Sequence, residues 1–362
     1  PDYAVTGVQT CALPILISNG DLETHRKLSE HYLEESTRLQ ITEQQAVFEN
    51  EIGINHLYNN RFDESIEAFT ESLKHYKIVG DDEKIVKAYN NFGVIYLDGY
   101  GDYIVARDYF RKAYTRANSR NYSVSLPVYL NNLGETYRIE GRYEMANKYF
   151  EESYEMAETV GDKNMTILAL LNLCHGQILN ETYGKAHKLI TRLEHEVQII
   201  KKRDYDKFDY YLLHFEYYLA MNSIMKVNQW RYDFNADEVM DDYRVYRLKL
   251  IDIKLNYKKE NRVLNNKGER HFEKKLPMAE VEALFEITQN PAESKLLREF
   301  VLELLIDAIE ESDYLNTERL LQMDFELMKR YNTKVVRLKR DFIEACFSDY
   351  ADRKSTRLNS SH

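Results

Sequence analysis

The chain holds 362 residues, with 60 Asp and Glu against 49 Lys and Arg, a formal net charge of −11. That balance argues against direct binding to nucleic acid or to an anionic membrane surface. No apolar run approaches the ~20 residues that a membrane helix needs. Between residues 17 and 351 the only cysteines are Cys174 and Cys346, too few for a disulfide framework and suited to a reducing cytoplasm.

Taken from the N-terminus, residues 1–16 (PDYAVTGVQTCALPIL) carry neither a period nor a helix signal. Residues 352–362 (DRKSTRLNSSH) are equally out of character with the chain between them. Both resemble translated sequencing-adapter or library sequence, so both are expected to be non-native and disordered. A signal peptide is the competing reading of the N-terminus, but the basic n-region is missing and the apolar run is short. On this view DLETHRKLSEHYLEES, from Asp21, is the second helix of a hairpin whose first helix is lost.

From residue 20 a fixed period governs the chain. Leu22, Phe62, Tyr103, Tyr143 and Tyr183 follow one another at intervals of 40, 41, 40 and 40 residues, each in a short polar turn. Three residues on stand Ser65, Ala106, Ala146 and Ala186; four further on stand Phe69, Phe110, Phe150 and Ile190. Ahead of the turns stand Gly53, Gly93, Gly134 and Cys174. Within residues 127–160, Val128, Leu133, Tyr137 and Ile139 mark one helix. Gly141 ends it, and Tyr143, Ala146, Tyr149, Phe150 and Tyr154 mark one face of a second. Gly134 and Ala146 let the two axes approach, while the aromatic rings fill the space around them. A repeat of this length predicts stacked helical hairpins.

The pattern resembles the tetratricopeptide repeat, with Leu-Gly, then Tyr, Gly-x-Tyr, Ala, Phe and Ala along a helix-turn-helix. One copy reads Phe92-Gly93, Tyr96, Gly101-Asp102-Tyr103, Ala106, Phe110, Ala113. The next reads Leu133-Gly134, Tyr137, Gly141-Arg142-Tyr143, Ala146, Phe150, Ser153. The copy around Gly53 has His56 and Ser65 at the Tyr and Ala places, and the copy around Cys174 lacks the Gly. The usual unit is 34 residues, and 40 or 41 resembles the longer-helix regulatory variant. The resemblance covers residues 20–195 and implies an all-α fold, a right-handed α-solenoid of antiparallel hairpins. Four segments are therefore expected: a leader over 1–16, a repeat array over 17–195, a degenerate helical region over 196–351 and a tail over 352–362.

Beyond residue 195 the spacing fades, but no proline lies between Pro127 and Pro277, which favours long helices. Tyr210, Tyr211, Phe215, Tyr217 and Tyr218 form an aromatic stripe, read as core or repeat packing before ligand stacking. Residues 244–275 hold eleven Lys and Arg against four Asp and Glu. The simplest reading is a solvated helix and a loop at Asn265–Gly268, with a docking patch for an acidic partner as the sharper one. Ser312-Asp313-Tyr314 followed by Leu320 and Leu321 reads as one more degenerate hairpin, and 333–350 as a further helix.

The chemistry of an active site is missing. There is no Gly-rich phosphate loop, no His-Glu-x-x-His and no cysteine pair with ligand spacing. Asp81-Asp82-Glu83 reads as a helix cap rather than a calcium loop. Cys174 and His175 are neighbours on a helix and point about 100° apart. No catalytic residue, metal site or cofactor is expected.

In the resembled family the first helix of each repeat lines a concave groove. Carried over, the groove set is Asn50, Ile54, Leu57 and Tyr58; Lys87, Asn90, Val94, Leu97 and Asp98; Val128, Asn131, Glu135 and Arg138; and Leu168, Leu171, His175 and Ile178. Asn50, Asn90 and Asn131 form a ladder whose amides could hold an extended peptide backbone, or could serve helix packing. Lys87 and Arg138 favour a ligand carboxylate, whereas Asp98 and Glu135 favour a basic residue. The family's clamp for acidic C-termini needs more lysines than these.

A non-catalytic protein- or peptide-binding module of a bacterial signalling or regulatory protein is the expected function. The alternative is the sensory region of a regulator whose output domain (helix-turn-helix, diguanylate cyclase or histidine kinase) lies outside this chain. The expected partner is a protein or peptide in the groove, in the cytoplasm, with self-association left open.

Overall fold

The computed structural model describes residues 13–18, 20–199, 204–221, 223, 225–227, 229, 242–265, 276–288, 291–310 and 313–331. Among them every regular element is helical and there is no strand. The chain divides into two compact units, Pro1–Leu173 and Cys174–His362. The repeat spacing runs past this division, to Ile190.

The first unit begins with α1 (Leu13–Ser18), α2 (Leu22–Arg38), α3 (Thr42–Tyr58) and α4 (Phe62–Val79). It continues with α5 (Asp82–Val94), extended by a π-helical turn at Ile95–Gly99, and α6 (Tyr103–Ser119). A short 3₁₀ turn at Ser123–Ser125 leads into α7 (Leu126–Ile139), followed by α8 (Tyr143–Val160) and α9 (Lys163–Leu179). From α1 to α8 each helix packs on the next. The reading of residues 1–16 as helix-free is corrected at its end. Leu13–Ser18 is helical, Leu13 is fully buried and α1 packs on α2, in the place assigned to a lost helix. Residues 1–12 and 352–362 lie outside the described residues.

One turn recurs between the helices of each hairpin. The residue two before each second helix is left-handed: Gly20, Asn60, Gly101, Gly141 and Glu181, with φ from 55° to 81°. Glycine and asparagine suit that geometry because their side chains meet little resistance there. The next amide reaches back five residues in four copies: Asp21 to Leu16, Arg61 to His56, Arg142 to Tyr137 and Thr182 to Gln177. In the remaining copy Asp102 reaches back six, to Tyr96. This is where the 41-residue unit carries its extra residue. Gly93 to Tyr103 is one position longer than Gly53 to Phe62, and the π turn absorbs it, with Tyr100 N–H donating to Ile95 C=O. Three of the helices, α2, α5 and α6, start on Asp side chains, as Asp21, Asp81 and Asp102 accept from the backbones of Thr24, Lys84 and Val105.

Inside each hairpin a glycine faces a phenylalanine. A Cβ built on Gly53, Gly93 or Gly134 would lie 2.8, 2.4 or 2.5 Å from Phe69, Phe110 or Phe150. The rings are fully buried, so they fill space that a side chain on the first helix would need. Where Cys174 takes the glycine place, the phenylalanine place holds the smaller Ile190, and both are buried. Serines at the small-residue places tie the helices together: Ser65 to Gly53 C=O, Ser72 to Ala46 C=O and Ser153 to Pro127 C=O, each at 2.7 Å. Tyr96 stacks on Tyr109 and Tyr137 on Tyr149, with ring planes within 7° and 8°. Where His56 replaces the first tyrosine, Ala68 replaces the second, so the pair is lost together.

In the second unit α10 (Tyr183–Ile199), α11 (Asp204–Ala220), α12 (Asp242–Asn265), α13 (Met278–Ile287), α14 (Pro291–Glu310) and α15 (Tyr314–Tyr331) follow. Phe215 and Leu219 of α11 pack on Leu248, Ile251 and Leu255 of α12. The other face of α12, with Tyr246 and Leu250, joins α13, α14 and α15 around Val281, Phe300, Leu304 and Leu320. The aromatic stripe is thus core at Phe215 and Tyr217, the latter stacked on His187. Asp313 caps α15, and α14–α15 form the hairpin expected there. Residues 244–265 of the basic stretch are helical, whereas 266–275 and 333–350 lie outside the described residues. Among the described residues no helix is long and apolar enough to cross a membrane.

Candidate peptide-binding groove

The first helices of three successive hairpins, α3, α5 and α7, enclose a concave pocket of about 340 Å³ in the first unit. Asn50, Ile54, Lys87, Asn90 and Val128, all from the expected groove set, line it, together with Tyr76, Lys84, Asn91, Ser125 and Tyr129. The 40-residue period is what gathers them, because equivalent positions of successive first helices share one side of the stack.

A second column of asparagines stands beside the expected one. Asn91 Nδ2 donates to Asn50 Oδ1 at 3.3 Å, Asn132 Nδ2 to Asn90 Oδ1 at 2.9 Å, and Asn172 Nδ2 to Asn131 Oδ1 at 2.9 Å. Each rung joins one hairpin to the next. Half of the amide chemistry is therefore consumed in packing, which the sequence offered as the alternative to binding. The other half is less engaged, and of the three first-column asparagines Asn50 and Asn90 line the pocket whereas Asn131 does not. Nδ2 of Asn90 and of Asn131 donates to no group among the described residues, and that of Asn50 meets only Glu51 Oε1, at 3.5 Å. Asn50 and Asn90 are half-buried, while Asn131 is 4 % exposed.

Several charged members of the set are held in ion pairs. Lys87 Nζ lies 2.7 Å from Glu83, and that hydrogen bond holds the Glu83 carboxyl below its usual range. Arg138 holds Glu135 through two nitrogens, at 2.8 to 3.2 Å, so the cation and anion expected to select opposite ligands neutralise each other. Lys84 makes no ion pair among the described residues. Tyr58 and Asp98 are exposed and stand outside the pocket lining.

Two members of the wider set are corrected. Leu97 is buried among Ala106, Phe110 and Leu133 instead of facing the groove, and it lies in the π turn. Ile178 is also buried. His175 belongs to the second unit, where its Nε2 stands 3.3 Å from Glu216. Sequence reasoning missed Lys84, Asn91, Asn132 and Asn172. A signal was present for the asparagines, since 91, 132 and 172 repeat the interval of 50, 90 and 131. None existed for Lys84, which has no counterpart at that period.

The other polar network joins α6 to α7. Arg107 donates to Thr136 Oγ1 at 3.0 Å, to Thr136 C=O at 3.1 Å and to Glu140 at 2.7 Å. Its guanidinium also lies 4.0 Å from the centre of the Tyr137 ring. This is a staple between hairpins, since Nε and Nη2 are engaged by Thr136 and Glu140 of the next hairpin.

A family model describing the tetratricopeptide repeat matches residues 44–119, and a second with the same description matches residues 128–160. No curated protein matches the sequence. Among solved structures the chain is similar to aspartyl phosphate phosphatase F from Bacillus subtilis, with TM-score 0.59 and 14% identity over 84% of this chain and 75% of that one. It is similar to the apo form of the quorum sensor NprR from B. thuringiensis, with TM-score 0.57 and 16% identity over 88% and 86%. It is also similar to BtubC (BKLC) from P. vanneervenii, with TM-score 0.52 and 15% identity over 61% and 94%. At such identities the likeness is one of fold. The matched segments hold the hairpins α3–α6 and α7–α8, and over those segments the chain carries tetratricopeptide repeats.

Proposed function

We propose that the first unit binds an extended peptide segment in the α3–α5–α7 groove, as the recognition module of a bacterial signalling or regulatory protein. The observation that carries this reading is the open half of the asparagine ladder. Each rung leaves an Nδ2 donor on Asn50, Asn90 or Asn131 and an Oδ1 acceptor on Asn91, Asn132 or Asn172. An extended peptide presents N–H and C=O groups along its length, so a track of both suits a backbone of any sequence. Packed helices lie about 8–10 Å apart and an extended chain advances about 3.3 Å per residue. One rung would thus meet about every third ligand residue. The shared fold with a quorum sensor supports a signalling context.

The test uses an isosteric change. Asn90→Asp and Asn131→Asp keep the oxygen that accepts the rung and remove the open Nδ2. Peptides selected by the wild-type chain from a random octapeptide library should bind the double variant at least about tenfold more weakly, the scale of one or two lost hydrogen bonds. The thermal melt should hold. Unchanged affinity would assign the ladder to packing alone.

A further inference from the structure

Resting on the peptide-binding reading, we propose that His25 and Glu51 are positioning residues for the groove: together they set which way the amide of Asn50 points in the first rung. Two departures from the period lead to them. His25 stands at the place that holds Ser65, Ala106, Ala146 and Ala186 in the later copies, yet it is fully buried. Glu51 stands at the head of the column that continues with Asn91, Asn132 and Asn172. The two departures meet, with His25 Nε2 at 3.2 Å from Glu51 Oε2. The direction of each hydrogen bond then follows from a backbone carbonyl. Asn55, 1 % exposed, donates through Nδ2 to Leu22 C=O at 2.7 Å, so the same Nδ2 faces His25 Nδ1 at 3.2 Å. Nδ1 is thereby the acceptor of the ring, and Nε2 carries the proton toward Glu51. A carboxylate only accepts. Glu51 takes His25 at Oε2, while its Oε1 faces Asn50 Nδ2 at 3.5 Å. That leaves the oxygen of the Asn50 amide toward α5, where Asn91 Nδ2 donates to it at 3.3 Å. In the later copies the place of Glu51 is an asparagine that donates back to the preceding hairpin. At the head of the ladder the carboxylate instead ties Asn50 to α2. Asn50 and Asn91 both line the pocket, so a polarity fixed in the core reaches the surface that meets the ligand.

Exchanging one acceptor for a donor tests the relay. In Glu51→Gln the ring proton of His25 claims the one amide oxygen, and the new amide nitrogen faces Asn50 Nδ2. The Asn50 amide should turn over and the first rung should break. Asn91→Asp breaks the same rung from the other side, by setting oxygen against oxygen. Each variant should lower the melting temperature by roughly 2–4 °C, the scale of one hydrogen bond. The double variant should lose much less than the sum, because a turned Asn50 can donate to the new carboxylate; additive losses would overturn the relay. The nitrogen resonances of the histidine rings give a second measurement on the unaltered chain. His25 should carry its proton on Nε2, and a proton on Nδ1 would equally overturn the relay. For the ligand, octapeptides selected by the full wild-type chain from a random library should bind Glu51→Gln about threefold to tenfold more weakly. Coupled melts together with unchanged affinity would overturn the positioning role and leave peptide binding intact. Failure to select any peptide would overturn the peptide reading and the positioning role with it, and the melts would then measure packing alone.

Discussion

At the scale of single residues, one atom of each ladder asparagine belongs to the fold and the other to the groove. Truncating Asn90 to alanine removes both, and leaves Asn132 Nδ2 without its acceptor at 2.9 Å. Asn90→Ala should therefore cost roughly 0.5–1.5 kcal/mol of stability as well as affinity, whereas Asn90→Asp should cost affinity alone. Chemical denaturation and peptide titration of the two variants, run side by side, check this; equal stability losses would contradict it. The period revealed Asn50, Asn90 and Asn131 but not what they bond, because their partners lie one position along, about 100° around the helix. A repeat interval states which residues are equivalent and is silent on which of them touch. Lys84 shows the complementary failure, since a residue that occurs in one repeat only leaves no periodic trace.

At the scale of the helix pair, the glycine–phenylalanine contact sets how closely two axes approach. Gly134→Ala places a methyl against the buried Phe150 ring and should destabilise by roughly 1–3 kcal/mol. Combining it with Phe150→Ile, the size that accompanies Cys174 in the chain itself, should recover part of the loss. A double-mutant cycle on thermal melts measures the coupling, and strict additivity would mean that the two residues do not share the contact. Between pairs, Arg107 is the comparable device. Its three hydrogen bonds and its seat on Tyr137 should make Arg107→Ala cost about 1.5–3 kcal/mol, and Arg107→Lys should restore little, because an ammonium lacks the planar fork. A full rescue by lysine would reduce the staple to simple charge. The small and large places of the hairpin were legible from the sequence, since close packing demands both at fixed spacing, whereas the direct Gly134–Phe150 contact and the Arg107 staple were not. The π turn was legible only as a longer interval. The extra residue sits in the turn before Gly101, and Leu97 in that turn is buried in the core.

At the scale of the whole molecule, the all-helical architecture followed from the period and the scarcity of proline, whereas the division between Leu173 and Cys174 did not. It falls inside α9, where the helix is continuous and composition does not change. Stability should also depend on pH through the departure at His56. Burial, and next the charge of Arg61, lower the His56 pKa, and its Nδ1 has no hydrogen-bond partner among the described residues. The unfolded chain then takes up a proton that the folded chain refuses, so this contribution is present above about pH 6.5 and lost as the pH falls. Melting temperature should drop between about pH 7.5 and about pH 5.5, and less so in His56→Leu; equal drops would place the acid sensitivity elsewhere. The central claim, that the open amides of Asn90 and Asn131 face a bound peptide, is tested most directly by nuclear magnetic resonance of asparagine-labelled protein. On addition of a library-selected octapeptide, the Nδ2 resonances of these two side chains should shift and exchange more slowly with solvent. Binding that leaves both unmoved would contradict it.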